Sequence, residues 1–254
     1  MLGTVLRHIF AGAKSSDAAG ESRVDERAAD ATANIPSLEP PFDYEKIAHL
    51  LAAEDSARYL TTHMRLARNL VQRGPLLEFA LSACSVEGLI LEFGVFRGAT
   101  LRFIAERANQ PVHGFDSFHG LPVDWTHTQR KGRFSLDGQA PQFDIPGIHV
   151  HAGLFSDSLP VFLEEHAGPV RFLHIDCDLY SSTKDVFSHL GSRIVVGTVI
   201  VFDEYLNYPG WREHEYRAFQ EYIAASGHGY RYLGFASTQC SVAVQIASAD
   251  RSEK

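Results

Sequence analysis

The chain has few of the residues that build covalent or zinc-based frameworks. Its 254 residues include only three cysteines, Cys84, Cys177 and Cys240, and neither C-x-x-C nor H-E-x-x-H occurs. An odd number of widely spaced cysteines argues against a disulfide framework or a zinc knuckle. It favours a reducing compartment, and we therefore expect a cytoplasmic protein.

Long apolar runs and an excess of positive charge are also missing. No run approaches the roughly 20 apolar residues of a membrane-spanning helix, so we expect no membrane span. The formal net charge is −8 at pH 7, and no cluster of Lys and Arg with interleaved aromatics offsets it locally, which argues against a nucleic-acid partner. The remaining composition, 45% hydrophobic and 21% charged, is typical of one soluble domain with appendages.

Composition and periodicity divide the chain into four segments. Residues 1–41 begin with a mildly apolar stretch that favours a short amphipathic helix over a secretory signal, followed by a flexible Ala-rich tail. Residues 42–85 carry apolar residues three and four apart and predict a helical cap. Residues 86–248 alternate apolar strands with helical segments, and residues 249–254 form a C-terminal tail.

The stretch LILEFGVFRGATLRFIAERA is typical of a strand, a glycine turn and a helix. Its apolar run ends at Glu92, and the turn contains Gly94 and Gly98. This geometry presents free backbone N–H groups to a polar ligand. The next strand ends at Asp116, where an acid can accept both hydroxyl protons of a ribose. Together these features favour a nucleoside-containing cofactor over an ordinary turn in which Asp116 is a turn former or helix cap.

Acids also stand at the ends of two later strands. Asp176 closes the fourth predicted strand, with Asp178 just beyond it, and Asp203 and Glu204 close the fifth. The carboxyl ends of parallel strands form the ligand-binding edge of an α/β sheet. Asp176, Asp203 and Glu204 would repel one another there without a cation, and together they predict an oxygen site for Mg²⁺ or another hard divalent ion.

A long irregular segment, residues 117–147, separates the second and third strands. It leaves the sheet beside Asp116, so we expect a lid over the cofactor, with a solvated flap as the alternative. His119 in this segment and His214 near the last helix are candidate proton acceptors from a substrate hydroxyl, although solvated histidines are the commoner case.

The order of segments predicts a Rossmann-like α/β fold. Strands joined by helices give parallel pairs, and helices then cover both faces of the sheet. The last two apolar runs, residues 230–236 and 241–246, are joined by a short link and predict an antiparallel pair. A mostly parallel seven-stranded sheet with one antiparallel strand in its edge region is the layout of class I methyltransferases.

Four motifs resemble the macrocin and mycinamicin sugar O-methyltransferase family. They are LILEFGVFRGATL, GFDSFHGLP, LHIDCDLYSST and VIVFDEYLNYPGWREHEYRAFQEY, and the resemblance runs from about Leu77 to Ile246. The family uses S-adenosylmethionine and Mg²⁺, which implies methylation of a hydroxyl on a sugar or other small natural product. A nicotinamide-dependent oxidoreductase ranks lower because G-x-G-x-x-G is missing. A non-catalytic nucleoside-binding domain ranks lower, because such a domain would be expected to have lost some of the acids at the strand ends and none is missing here.

The resemblance also implies roles for particular residues. The residues implied in binding S-adenosylmethionine are Glu92, Gly94, Asp116, Ser117 and Phe118. The metal ligands implied are Asp176, Asp203 and Glu204. Glu204 stands where the family carries the second acid of Asp-Asp-Trp, so the third ligand is longer here. Asp178 is a candidate base or a support for the metal ligands, and the acceptor and oligomeric state, a homo-oligomer included, stay open.

Overall fold

The computed structural model of the protein describes residues 42–249. The predicted N-terminal amphipathic helix and tail, and all but the first residue of the C-terminal tail, lie outside the described residues. Within 42–249 no helix is both long and apolar enough to cross a membrane.

Eight strands and six α-helices make up the described part of the chain. The strands are β1 (Arg68–Asn69), β2 (Leu89–Phe93), β3 (Val112–Asp116), β4 (Ile148–Ala152), β5 (Val170–Ile175), β6 (Ile194–Phe202), β7 (His228–Phe235) and β8 (Val242–Ser248). The helices are α1 (Tyr44–His63), α2 (Arg73–Ser82), α3 (Ala99–Ala105), α4 (Phe155–Glu165), α5 (Tyr180–Leu190) and α6 (Glu215–Ser226). Two short 3₁₀ turns, Gly191–Arg193 and Trp211–Glu213, precede β6 and α6.

The strands form one sheet in the order β1-β7-β8-β6-β5-β2-β3-β4. All neighbouring pairs are parallel except those that β8 makes with β6 and β7. The predicted α/β fold with one reversed strand near the C-terminal end is confirmed. The short strand β1, inside the predicted cap, adds an eighth strand that the sequence did not indicate.

The strand order reverses next to β2. From β2 the chain runs outward through β3 and β4, then returns to place β5 and β6 on the other side of β2. Such a reversal leaves a crevice beyond the carboxyl ends of the two strands that flank it, because the helices leave in opposite directions. The loops that follow β2 and β5 therefore face one another across this crevice.

Apolar side chains alternate along the strands and fill a core on each face of the sheet. On β2, Ile90 packs with α2 and α3, whereas its neighbour Leu91 packs with α4, α5 and α6. This alternation follows from the period of two of a β-strand. Both faces of β2 are buried, as expected of a central parallel strand.

The predicted cap contains two helices with a strand between them. The helical prediction was wrong for residues 64–72, where the backbone of Arg68 and Asn69 pairs with β7 and Leu70 N–H donates to the Phe235 carbonyl at 2.9 Å. Val71 then adopts a positive φ of 65°, which ends the extended run. Pairing with β7 has overridden the apolar pattern that predicted a helix here. Local helix propensity is weak compared with such tertiary contacts.

Helix α1 is fixed to the sheet by polar contacts as well as by packing. The hydroxyl of Tyr59 lies 2.6 Å from that of Tyr232, which lies 2.9 Å from that of Tyr205. The carboxylate of Asp55 accepts two hydrogen bonds from Arg212, at 2.9 and 3.0 Å. These contacts join α1 to β7, to the loop after β6 and to the segment before α6.

Four histidines gather between β3, β4 and α4. They are His113, His149, His151 and His166, with Phe162 against three of their rings. His113 is 5% exposed and its Nδ1 lies 3.1 Å from Nε2 of His151. Burial, reinforced by repulsion from the neighbouring histidines, lowers the pKa of His113 to about 3 and also lowers the pKa of His151.

This cluster should make the protein less stable in mild acid. His113 stays neutral in the folded state down to pH about 3, whereas the unfolded chain takes up the proton near pH 6.5. The contribution of neutral His113 to the free energy of unfolding is therefore complete above pH 6.5 and is lost progressively as the pH falls towards 3. The free energy of unfolding in urea should drop by about 2 kcal/mol between pH 7.5 and 5 because of this one residue.

The variant His113→Phe should abolish that part of the loss while keeping a ring in the cluster. The control is His49→Phe, at an exposed histidine of α1. An unchanged pH dependence in His113→Phe would show that the acid sensitivity arises elsewhere.

Candidate active site

The turn after β2 needs glycine at two positions because neighbouring chain segments leave no room for a side chain. Gly94 has φ 96°, and a Cβ there would lie 1.8 Å from the backbone oxygen of Asp176. Gly98 has φ 77°, and a Cβ there would lie 2.3 Å from the ring of Phe143. No L-residue with a side chain fits either position without displacing its neighbour. Gly94 thus allows the loops after β2 and β5 to touch, which brings both to the edge of the crevice.

Asp116, at the end of β3, closes this turn through its carboxylate. Its Oδ2 accepts the N–H groups of Val95 and Phe96 at 2.9 and 2.7 Å, and its Oδ1 accepts that of Phe118 at 2.8 Å. A carboxylate oxygen has two lone pairs, so Oδ2 is filled and Oδ1 keeps one. Asp116 thus holds the turn through three backbone hydrogen bonds, and its expected contact with a ribose stays a prediction.

A cavity of about 710 Å³ occupies the crevice. Several predicted site residues line it: Gly94, Asp116, Ser117, Asp176, Asp178, Asp203 and Glu204. Its other walls come from the loop after β4, from the first turn of α5 and from the segment 117–147. That segment contributes Leu121, Pro122, Val123, Trp125, Gln129 and Phe134, so the expected lid forms one wall of the cavity.

Three acids converge at one side of the cavity. Carboxylate oxygens of Asp176, Asp178 and Glu204 all lie within 4.8 Å of one another. Asp178 reaches this position with a φ of 63°, a strained conformation for a residue with a side chain and one that is concentrated at functional sites. Asp176 and Glu204 were predicted as metal ligands, whereas Asp178 was predicted as a base or a supporting group.

Asp203, the third predicted ligand, also lines the cavity, and each of its carboxylate oxygens accepts a hydrogen bond from another side chain. Its Oδ2 accepts a hydrogen bond from Nη1 of Arg73 at 2.5 Å, and its Oδ1 accepts one from the hydroxyl of Ser241 at 2.9 Å. Asp203 does lie near Asp176 and a ring nitrogen of His174, within 4.8 Å. Arg73 comes from α2 and was not identified from the sequence.

Burial and mutual repulsion raise the proton affinities of these acids. The pKa of Asp178 rises to about 7, chiefly through burial and then through the charge of Asp203. The pKa values of Asp176 and Glu204 rise well above their usual range for the same two reasons. An acid in such a position is stabilised as a carboxylate only by a nearby cation or by hydrogen-bond donors.

Glu92 lies behind the site and does not line the cavity. Its carboxylate is fully buried, and Oε1 lies 2.9 Å from Nδ1 of His174, its neighbour in register on β5. Burial raises its pKa, partly offset by His174. Glu92 is thus a buried partner of His174 on the neighbouring strand, and its predicted contact with the cofactor stays a prediction.

Three further predicted residues also lie outside the cavity wall. Phe118 is a core residue, 1% exposed, whose backbone N–H serves Asp116. His119 is exposed, with its ring against Gly138. His214 is half-buried, with its ring 6.0 Å from that of Trp125, and burial lowers its pKa. Neither histidine lines the cavity. His214 lies behind Trp125, which does line it.

Three polar residues near the acids and the lid were not found from the sequence, namely Trp125, Gln129 and Glu215. Buried side-chain atoms without a hydrogen-bond partner in residues 42–249 include Glu204 Oε2, Glu215 Oε1, Trp125 Nε1 and Gln129 Oε1. Glu215 is fully buried, and its Oε2 accepts the backbone N–H of Glu204 at 3.1 Å. Its position in the first turn of α6 resembles an ordinary acidic helix start, so only a tertiary structure could place it beside Glu204.

The strand order, the crevice at the reversal and the acid that closes the turn after β2 define a class I methyltransferase. Comparison with known families agrees: the chain belongs to the macrocin O-methyltransferase (TylF) family, whose model matches residues 80–226. Membership makes the protein an S-adenosylmethionine-dependent O-methyltransferase. No curated protein sequence matches the chain significantly.

Solved structures show the same fold at low sequence identity. The calicheamicin methyltransferase CalS11 is 20% identical with a TM-score of 0.53, over 90% of this chain and 99% of that one. The O-methyltransferase NovP is 19% identical with a TM-score of 0.55, over 81% of this chain and 98% of that one.

We expect Asp116→Asn to weaken binding of S-adenosylhomocysteine at least tenfold. An amide can accept at one end only, so its NH₂ group would face an N–H of the turn or of Phe118 and open the cofactor side of the cavity. Isothermal titration calorimetry measures the affinity. The control is Asp144→Asn, which removes an exposed acid paired with Arg102 of α3. Equal affinities of wild type and Asp116→Asn would exclude Asp116 from the cofactor site.

Proposed function

We propose that the protein methylates a hydroxyl of a sugar or other small natural product with the help of a divalent cation, Mg²⁺ in the first instance. The observation that carries this proposal is the convergence of Asp176, Asp178 and Glu204 beside the turn that Asp116 closes. The acids and the turn line one cavity, so a cation-held hydroxyl and a methyl donor would share it.

The cofactor would occupy the side of the cavity next to β2 and β3. There Asp116 keeps one lone pair for a ribose hydroxyl, and Ser117 lies beside it. When bound, S-adenosylmethionine supplies an electrophilic methyl group. The contact between Gly94 and the loop after β5 sets how closely this side approaches the acids, and positioning of the two reactants supplies much of the rate acceleration in such a transfer.

The acids fit a hard divalent cation. They offer only carboxylate oxygens, the donors that Mg²⁺ prefers, and Glu204 Oε2 is buried without a hydrogen-bond partner among the described residues. Bound there, a cation would acidify and orient the acceptor hydroxyl. Asp178, beside Glu204, would accept the hydroxyl proton or hold the cation.

The acceptor would lie between the acids and the lid. Trp125 Nε1 and Gln129 Oε1 are buried without partners in the described chain and belong to residues that line the cavity. One is a donor and the other an acceptor, which suits a hydroxylated ligand because each hydroxyl can both accept and donate. Val123 and Phe134 add apolar surface on the same segment.

The first test is a thermal-shift panel followed by a transfer assay. S-adenosylmethionine and S-adenosylhomocysteine should raise the melting temperature, and NAD and NADP should not, because a ligand stabilises only the native state that binds it. With radiolabelled donor and a panel of glycosylated and polyhydroxylated acceptors, transfer should fall at least tenfold in EDTA and return with Mg²⁺.

Two variants distinguish loss of the proposed metal ligand from a general effect of replacing an acid. Glu204→Gln should lower transfer at saturating Mg²⁺ at least tenfold. The control Glu87→Gln changes an exposed acid that pairs with Arg171 just before β2 and should leave transfer unchanged. Full activity in excess EDTA would show that the acids act as bases or hydrogen-bond acceptors without a cation.

The lid should tighten when the cofactor binds. Asp124 already holds the segment by accepting from Arg130 Nη1 and from Lys131 N–H, both at 2.8 Å. Trypsin should cut after Arg130, Lys131 or Arg133, and S-adenosylhomocysteine should slow cleavage at least threefold because the cavity wall belongs to the same segment. Asp124→Asn should be cut faster in both states. Equal cleavage rates with and without ligand would mean a passive flap.

A further inference from the structure

We infer that the acceptor carries a phosphate group, and that Arg97 and Arg133 bind this group at the rim of the cavity. The inference rests on the proposed transfer to a hydroxylated acceptor, and it names the chemical class of that acceptor. The class comprises sugar phosphates and nucleoside diphosphate sugars, because both carry the anionic group that the two arginines would recognise.

Two phenylalanines join the lid to the turn after β2. The ring of Phe96, in the turn, meets the ring of Phe134, in the lid, edge to face at a centroid distance of 5.6 Å. Both residues line the cavity, so the pair lies where two of its walls meet. The backbone of each is in the left-handed region, with φ 47° at Phe96 and 67° at Phe134. Residues with a side chain rarely adopt this conformation, and those that do are concentrated at functional sites.

An arginine lies over each of these rings. The guanidinium carbon of Arg97 is 5.1 Å from the ring centroid of Phe96, and that of Arg133 is 5.2 Å from the ring centroid of Phe134. Both arginines are exposed, and Arg97 lines the cavity. A ring beneath a guanidinium supports one face of the planar group and leaves the N–H groups at its edge free for a ligand.

Neither guanidinium has a carboxylate partner within residues 42–249. Arg73, which also belongs to the cavity wall, forms an ion pair with Asp203. Arg130 of the lid is likewise paired, with Asp124. In a chain with a net charge of −8, two unpaired cations beside one aromatic pair form a local site that attracts an anion.

The acids of the cavity decide how such an acceptor would lie. Asp176, Asp178 and Glu204 repel an anion, whereas a cation bound to them would hold a hydroxyl. An acceptor with a hydroxyl at one end and a phosphate at the other is therefore oriented with its hydroxyl towards the acids and its phosphate towards the rim. Guanidinium groups bind phosphate oxygens through paired N–H groups. Two arginines from two chain segments suit a doubly charged phosphate better than a single carboxylate.

The experiment is isothermal titration calorimetry of the full chain. Saturating S-adenosylhomocysteine fills the cofactor site, and EDTA prevents a cation at the acids from bridging the ligand. The probes are uridine diphosphate glucose and glucose 1-phosphate, with glucose as the neutral control. At least one of the two phosphate-bearing probes should bind, glucose should not bind measurably at the same concentration, and added salt should weaken binding because the rim charges are exposed.

Variants at the rim test which residues carry this binding. Arg97→Met and Arg133→Met should each weaken the bound probe at least tenfold, and both should keep the melting temperature of the wild type because the two side chains are exposed. The matched control is Arg65→Met, at an exposed arginine outside the cavity wall, which should stay within twofold. Binding of uridine diphosphate glucose alone identifies a nucleoside diphosphate sugar, and equal binding of glucose 1-phosphate identifies a sugar phosphate.

Three outcomes would overturn the inference. The first is that neither phosphate-bearing probe binds the wild type, and the second is that wild type and both variants bind equally. The third is that Arg97→Met loses affinity for S-adenosylhomocysteine but not for methylthioadenosine, which lacks the carboxylate, since Arg97 would then bind the cofactor.

The proposed function is tested separately from this inference. It stands in all three cases if a neutral glycoside is methylated in a reaction that depends on Mg²⁺. It fails if neither neutral nor phosphate-bearing acceptors are methylated, whatever the rim binds.

Discussion

The main constraint on this molecule is electrostatic: several acids are gathered at the ends of buried strands, where Arg73 lies against Asp203 and Asp176. Asp176, Asp178, Asp203 and Glu204 meet at one edge of the sheet, and Glu215 lies beneath them. Desolvation raises the pKa of most of them. A well-packed apolar cluster would be at least as stable in such a place, so the acids contribute little to the stability of the fold, and their convergence supports the proposed cation site.

Hydrogen bonds and close contacts with the backbone hold the rest of the site in place around these charges. Asp116 uses three hydrogen bonds to close the turn after β2. The missing Cβ of Gly94 lets that turn rest on the backbone of Asp176. The turn after β2 and the acids are consequently coupled through two short loops, and in the proposed reaction movement of one loop would change the distance between the two reacting groups.

Sequence reasoning predicted those parts of the site that depend on local pattern. An apolar run that ends in an acid identifies a strand end whatever lies around it, and Asp116, Asp176 and Asp203 were found in this way. Arg73 was not found, because its position depends on the pairing of β1 with β7, far along the chain. Trp125 and Gln129 lie in an irregular segment without periodicity, where a pattern indicates only that a lid exists.

The pair Glu92 and His174 shows a signal that was present but unused. Each is a polar residue within an otherwise apolar strand, and each therefore needs a buried partner. The two strands are neighbours at the strand-order reversal, and the two residues are in register. Pairing polar residues on adjacent strands would have predicted the contact between Glu92 and His174.

The position of β8 has a consequence for how the chain reaches this structure during synthesis. The last strand in sequence lies inside the sheet, between β6 and β7, and antiparallel to both. While the ribosome is still adding residues 228–248, β6 has an open edge and β1 has no partner. Contacts between such distant parts of the chain form slowly, and an unpaired strand edge favours association with other chains. A nascent chain of this protein would therefore expose an unpaired edge of β6 until β8 emerges.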